Sequence, residues 1–95
     1  MPNCRIIFAE TFDKDLRKIA SYLIENDFDA DKVIEIRRKT EEILSKFPEI
    51  GGLYREKNNI RKIVVLRKNT IYYQVVGAKI YVLHIFAGKM DKNFD

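Results

Sequence analysis

The stretch IRKIVVLRKNTIYYQVVGAKIYVLHIF, residues 60–86, decides the fold. Ile60 to Leu66, Ile71 to Val76 and Ile80 to Phe86 are runs of β-branched and aromatic residues, side chains that suit a pleated, half-buried surface. Lys68-Asn69 and Gly77-Ala78 lie between them at hairpin spacing, so the stretch predicts three antiparallel strands in a meander. In Ile71–Val76 and again in Ile80–Phe86, both alternating faces are apolar or aromatic. A sheet covered by one layer of helices needs only one apolar face. The second is expected to carry a cover: a loop, the C-terminal tail or another protein.

Working outward, the pattern changes period. Phe12, Leu16, Ile19, Ala20, Leu23 and Ile24 recur at helical spacing, and Val33, Ile36, Thr40, Ile43, Leu44 and Phe47 do the same after a short break at Asn26-Asp27. Thr11 and Asp29 stand where N-caps belong, with Asp13 and Asp15 favourably placed against the first helix's positive end. Pro48 stops the second helix, because the residue before a proline is driven out of helical geometry. So short a connection implies an antiparallel helix hairpin. Its charged outer faces (Lys14, Arg17, Lys18; Arg37, Arg38, Lys39) read as solvated surface. Arg5 to Phe8 reads as a further strand, Ile50-Gly51-Gly52-Leu53 as a loop, and Lys57-Asn58-Asn59 as a turn. The expectation is one α+β domain over residues 1–95: an N-terminal strand, an antiparallel helix hairpin, then a three-stranded antiparallel meander in one small sheet.

Charge is distributed unevenly. Residues 1–47 hold nine Lys/Arg and ten Asp/Glu, whereas residues 48–95 hold nine Lys/Arg and four Asp/Glu, so the net +4 comes from the second half. Such a field attracts polyanions, either nucleic acid or an acidic protein segment. The single cysteine, Cys4, has no partner for an internal disulfide and reads as a small residue entering a strand, as suits a reducing compartment. No apolar run approaches the ~20 residues of a membrane span, and no basic segment leads into an apolar core at the N-terminus. A cytoplasmic location without membrane contact is expected. P-loop, zinc-ligand and Ser-His-Asp patterns are missing from the sequence, so neither metal nor cofactor is expected. His84, mid-strand among apolar residues, reads as a hydrogen-bonded sheet residue.

The order of strand, helix hairpin, Pro-Gly loop and meander resembles the RelE/ParE toxin superfamily. Phe12, Asp15, Leu16, Ile19 and Tyr22-Leu23 look like that family's first helix. Leu44, Phe47-Pro48 and Gly51 look like the end of its second helix and the following loop. Ile60-Arg61-Lys62-Ile63 resembles its arginine-bearing strand, Ile71-Tyr72-Tyr73-Gln74-Val75 its tyrosine-containing strand, and Leu83-His84-Ile85-Phe86 with Lys89 its last strand and basic tail. The resemblance implies the toxin of a bacterial type II toxin–antitoxin module, held in a hetero-oligomer by a cognate antitoxin and acting on DNA gyrase (the ParE branch) or on ribosome-bound mRNA as an endoribonuclease (the RelE branch). RelE-type cleavage needs a base for the ribose 2′-OH, cations for the phosphate and an acid for the leaving oxygen. If the chain is a nuclease, Arg61, Lys89 and Glu56 are the candidates. Thr70 stands where an RNA-cleaving relative would carry arginine, and the tail offers only Phe94 in place of Tyr or His, so the resemblance is closer to ParE. Arg61, Arg67, Lys68 and Lys89 are the candidates for target contact. A plain interaction module, binding a partner helix on its apolar sheet face without toxicity, is the remaining alternative.

Overall fold

The computed structural model describes residues 4–55 and 57–88. Five strands form one mixed sheet in the order β1-β5-β4-β3-β2, where β1 is Arg5–Phe8, β2 Gly52–Arg55, β3 Ile60–Val65, β4 Asn69–Val76 and β5 Lys79–Ala87. The expected meander is present as β3-β4-β5, antiparallel throughout. The N-terminal strand joins it at the other side of β5, in parallel, with Ile6 opposite Ile80 and Phe8 opposite Val82. Helices α1 (Glu10–Glu25) and α2 (Lys32–Lys46) fill the crossover between β1 and β2.

The core forms where the helical stripes meet one face of the sheet. Phe12, Leu16 and Ile19 of α1 and Ile36 and Leu44 of α2 close over Val65, Ile71, Tyr73, Ile80, Val82 and Ile85, and Ile6, Phe8 and Ile63 pack at the margin. Thr40 is buried among them because its hydroxyl donates to the Ile36 carbonyl one turn back, which satisfies it inside the helix. Two residues expected in the stripes are exposed. Ile24 follows Leu23 by a further 100° of helical rotation and is exposed, and Phe47 leaves the helix at its C-cap, with φ −133°.

The edge strand β2 was expected to be loop. The glycines of Ile50-Gly51-Gly52-Leu53 suggest a break, yet Gly52 pairs with Lys62 and Leu53 with Arg61. Gly51 is required by packing: a Cβ there would lie 2.5 Å from the Lys62 carbonyl oxygen and 2.8 Å from the Tyr73 hydroxyl. Helix α1 begins without a side-chain cap, at Ala9, and Thr11 instead donates to the Leu83 carbonyl. The carboxylate of Asp29 accepts from the Asp31 amide just ahead of α2, whose N-cap is Asp31.

The β4–β5 ladder contains a bulge. Tyr72 pairs with His84 and Tyr73 with Val82, so Leu83 is the extra residue. The bulge inverts the alternation along β5. Ile80 and Val82 face the helices before it and Ile85 after it, while His84 and Phe86 turn to the opposite face. Part of the two-sided apolar character of Ile80–Phe86 is therefore a change of parity within one strand.

The turns differ in how they meet their backbone geometry. Among the described residues, left-handed φ values occur at Asp27, Asn58, Asn59, Gly77 and Gly88, types that tolerate that region, and at Leu66 (53°) and Arg67 (80°), types that do not. The β3–β4 connection was expected at Lys68-Asn69. It lies at Leu66–Lys68 instead, and Asn69 is the first residue of β4, buried, with its side-chain amide donating to the Val65 carbonyl.

Candidate macromolecule-binding face

The sheet face turned away from the helices is organised in rows across the strands. Lys62, Tyr72 and His84 stand abreast on β3, β4 and β5, and Val64, Thr70 and Phe86 form the neighbouring row. Tyr72 is the centre. Its ring meets Tyr54 edge-on at 4.9 Å and Phe86 at 5.7 Å, and it is only 6% exposed. The expected second apolar face is thus partly covered by the chain itself, through the aromatic side chain that β2 brings over it. Arg55 and Lys62 lie 5.5 and 5.6 Å from the Tyr54 ring, so the aromatic cluster is fringed with cations. Toward the tip of the sheet the face stays open: Val64 is 60% exposed.

His84 is held in a fixed setting. Its Nδ1 lies 3.0 Å from Asp15 Oδ2, and the same oxygen accepts from the Ile85 amide at 3.1 Å. These contacts follow from topology. β1 pairs with β5 only as far as Val82, so beyond that point the β5 edge has unmatched backbone groups. Helix α1 supplies them, Thr11 to the Leu83 carbonyl and Asp15 to the Ile85 amide.

The basic candidates separate by position. Arg61 points to the helix side. Its Nη1 donates to the Gly51 carbonyl at 2.6 Å and to the Glu49 carbonyl at 3.2 Å, and its Nε is buried without a hydrogen-bond partner. The Tyr73 hydroxyl accepts from the Gly51 amide at 2.9 Å on the same loop. Burial pushes the Tyr73 pKa up, against an opposing pull from that hydrogen bond and from the Arg61 charge. Arg61, Tyr73 and Gly51 therefore fix the segment that leads from α2 into β2. Arg67 and Lys68 are exposed at the β3–β4 turn, at the other end of β3 from Arg61. The Gly88 amide donates to the Lys68 carbonyl at 2.6 Å, tying the end of β5 to that turn. Lys89, Glu56 and Phe94 lie outside the described residues.

Electrostatically the two layers differ. The helices pair their charges, Arg37 with Asp13 at 2.8 Å and Lys39 with Glu42 at 3.3 Å. From Lys57 to Gly88 the chain holds six Lys/Arg and no Asp/Glu, so the meander supplies no carboxylate to neutralise its own cations. Lys62 and His84 were not among the expected contact residues. Their signal was the alignment across strands, which a sequence shows only once the register is known. Among the described residues no group of three or more His, Cys, Asp or Glu side chains is placed to hold a metal ion, and no helix is long and apolar enough to cross a membrane.

A strand–hairpin–meander order, with a mixed five-stranded sheet and a basic, aromatic outer face, defines an α+β domain of the RelE/ParE type. The sequence matches the ParE toxin of type II toxin–antitoxin systems (parDE) over residues 6–92, and the chain belongs to that family. Among solved structures it is similar to a chain of the chromosomal ParDE TA system from P. aeruginosa, with a TM-score of 0.71 at 17% identity, over 94% of this chain and all of that one. It is also similar to two conserved hypothetical proteins of Helicobacter pylori. One has a TM-score of 0.57 at 16% identity, covering 92% of this chain and 97% of that one. The other has 0.56 at 22%, covering 88% and 93%. At these identities the structural likeness establishes the fold. No curated protein matches the chain.

Proposed function

We infer that this protein is the toxin of a bacterial type II toxin–antitoxin module, that a cognate antitoxin neutralises it in a cytoplasmic hetero-oligomer, and that it inhibits DNA gyrase. The toxin class rests on family membership. The site rests on one observation, the cationic meander without a carboxylate from Lys57 to Gly88. An acidic partner surface is attracted to such a face, and the attraction raises association rates more than it raises affinity. Arg67 and Lys68, exposed at the tip, make target contact in this reading. Lys89 is given the same role on its place in the sequence alone. Arg61 supports the surface from behind, through the loop that carries β2 and Tyr54.

A second reading is a ribosome-dependent mRNA endonuclease. The row Lys62-Tyr72-His84 favours it, since it sets a cation, a phenol and an Asp-held imidazole side by side, types of group that hold phosphate and move protons. Arg61, Lys89 and Glu56 are its other proposed contributors. One experiment separates the two: the pure protein is added in parallel to a gyrase supercoiling reaction and to ribosomes carrying mRNA. Loss of supercoiling with intact mRNA is the expected result. Cuts in the ribosome-bound mRNA with unimpaired supercoiling would replace the first reading with the second. Neither effect, together with expression that leaves growth untouched, would reduce the protein to an interaction module.

A further inference from the structure

The β3–β4 turn is the place where local sequence and backbone conformation disagree. Everywhere else among the described residues a left-handed position is taken by Asp, Asn or Gly. Here two in succession are Leu66 and Arg67, whose side chains disfavour that region. An Asn-Gly pair would satisfy the same backbone without strain. Strain of this kind persists when surrounding contacts over-determine it, and it gathers at sites of function. The contacts are present: Asn69 Nδ2 donates to the Val65 carbonyl at 3.0 Å beneath the turn, and the Gly88 amide donates to the Lys68 carbonyl at 2.6 Å beside it.

The side chains complete the picture. Leu66 is 38% exposed on a tip otherwise made of Arg67 and Lys68, with exposed Val64 two residues back on the outer face. Among the described residues neither Arg67 nor Lys68 has a carboxylate partner. A leucine framed by cations offers phosphates the charge but offers single-stranded bases no aromatic surface to stack on. It suits a protein pocket with an apolar floor and a carboxylate rim.

We propose that the strained turn Leu66-Arg67-Lys68 is a preformed anchor that inserts Leu66 into an acid-rimmed apolar pocket on the folded protein that this toxin inhibits. The occupant is the folded target rather than a flexible segment, because a rigid convex tip needs a preformed concavity. The proposal rests on the toxin reading above and adds the residue and the partner chemistry.

The test uses the full chain, induced in bacteria at matched soluble levels and purified for melting, with two substitutions. Leu66→Asn relieves the strain and removes the apolar group, whereas Leu66→Ala keeps a Cβ in the left-handed position and removes only the apolar group. Leu66→Asn is expected to melt about 4 °C or more above the wild type and to need at least tenfold more protein to arrest growth. Leu66→Ala is expected to melt no higher than the wild type and to lose arrest to the same extent. Affinity for a short single-stranded RNA and for duplex DNA is expected to be the same for all three proteins. Arrest by Leu66→Asn at the wild-type dose would overturn the proposal and leave the turn a mere connection. Melting of Leu66→Asn below the wild type would overturn the strain argument. A loss of RNA or DNA affinity parallel to the loss of arrest would overturn it in favour of a nucleic acid occupant. If the wild type itself fails to arrest growth, the toxin reading fails and this inference falls with it; that outcome is distinct because it precedes any effect of substitution.

Discussion

The hydroxyl of Tyr73 sits where the sheet meets the loop from α2 to β2, fully buried and accepting from the Gly51 amide while Arg61 holds the carbonyls on either side. Gly51→Ala drives a methyl group into the Lys62 carbonyl and the Tyr73 hydroxyl. It is expected to cost about 1–3 kcal/mol, read as a lower urea midpoint at unchanged slope. The ionisation of Tyr73 gives a second check. Burial holds its proton above the ordinary value of 10.0. The unfolded chain then releases that proton first as pH rises, so the contribution is intact below pH 10 and is lost as pH climbs from there toward the folded value. Urea unfolding between pH 8 and 11 should show a steeper alkaline decline for wild type than for Tyr73→Phe, and equal declines would remove Tyr73 from the account. Arg61 was legible in the sequence as a cation on the first meander strand, but not as a brace. A side chain's face follows from register, and the carbonyls that Arg61 binds belong to a loop 10 and 12 residues away.

At the scale of elements, the three meander strands, both helices and the N-terminal strand could be read from period and residue type, because burial on one face writes itself into the sequence. Three features could not. β2 hides behind Gly51-Gly52, where close packing at Gly51, not a turn, demands glycine. The bulge at Leu83 looks like a second apolar face. The β3–β4 turn lacks turn chemistry, so Lys68-Asn69 drew the boundary two residues too late. The clamp of α1 on β5 also depends on topology, since Asp15 acts on a strand edge that exists only because β1 stops opposite Val82. Asp15→Ala leaves the Ile85 amide without its acceptor and is expected to cost about 1–3 kcal/mol. Hydrogen exchange at Ile85 should accelerate relative to amides in the β3–β4 ladder. Equal protection in the variant would show that the edge is held by something other than α1.

For the whole molecule, the division of labour follows charge. The helical half balances its own ions, and the sheet half carries the net positive field on a face whose aromatic centre is sealed while its tip stays open. Composition already showed the asymmetry, and the resemblance to the RelE/ParE toxins gave it a class. Which cations project and which are consumed internally required the fold. Long-range attraction of this kind is screened by salt over about 8–10 Å near physiological ionic strength, so inhibition of the target should weaken as salt rises from 0.05 to ~0.3 M. Whether the cations at the meander tip engage the inhibited target is read from growth arrest by the double reversal Arg67→Glu/Lys68→Glu at soluble levels matched to wild type, with melting measured on the same preparations. The double variant is expected to be as stable as the wild type, with arrest abolished. A folded variant that arrests growth at the wild-type dose would contradict that engagement.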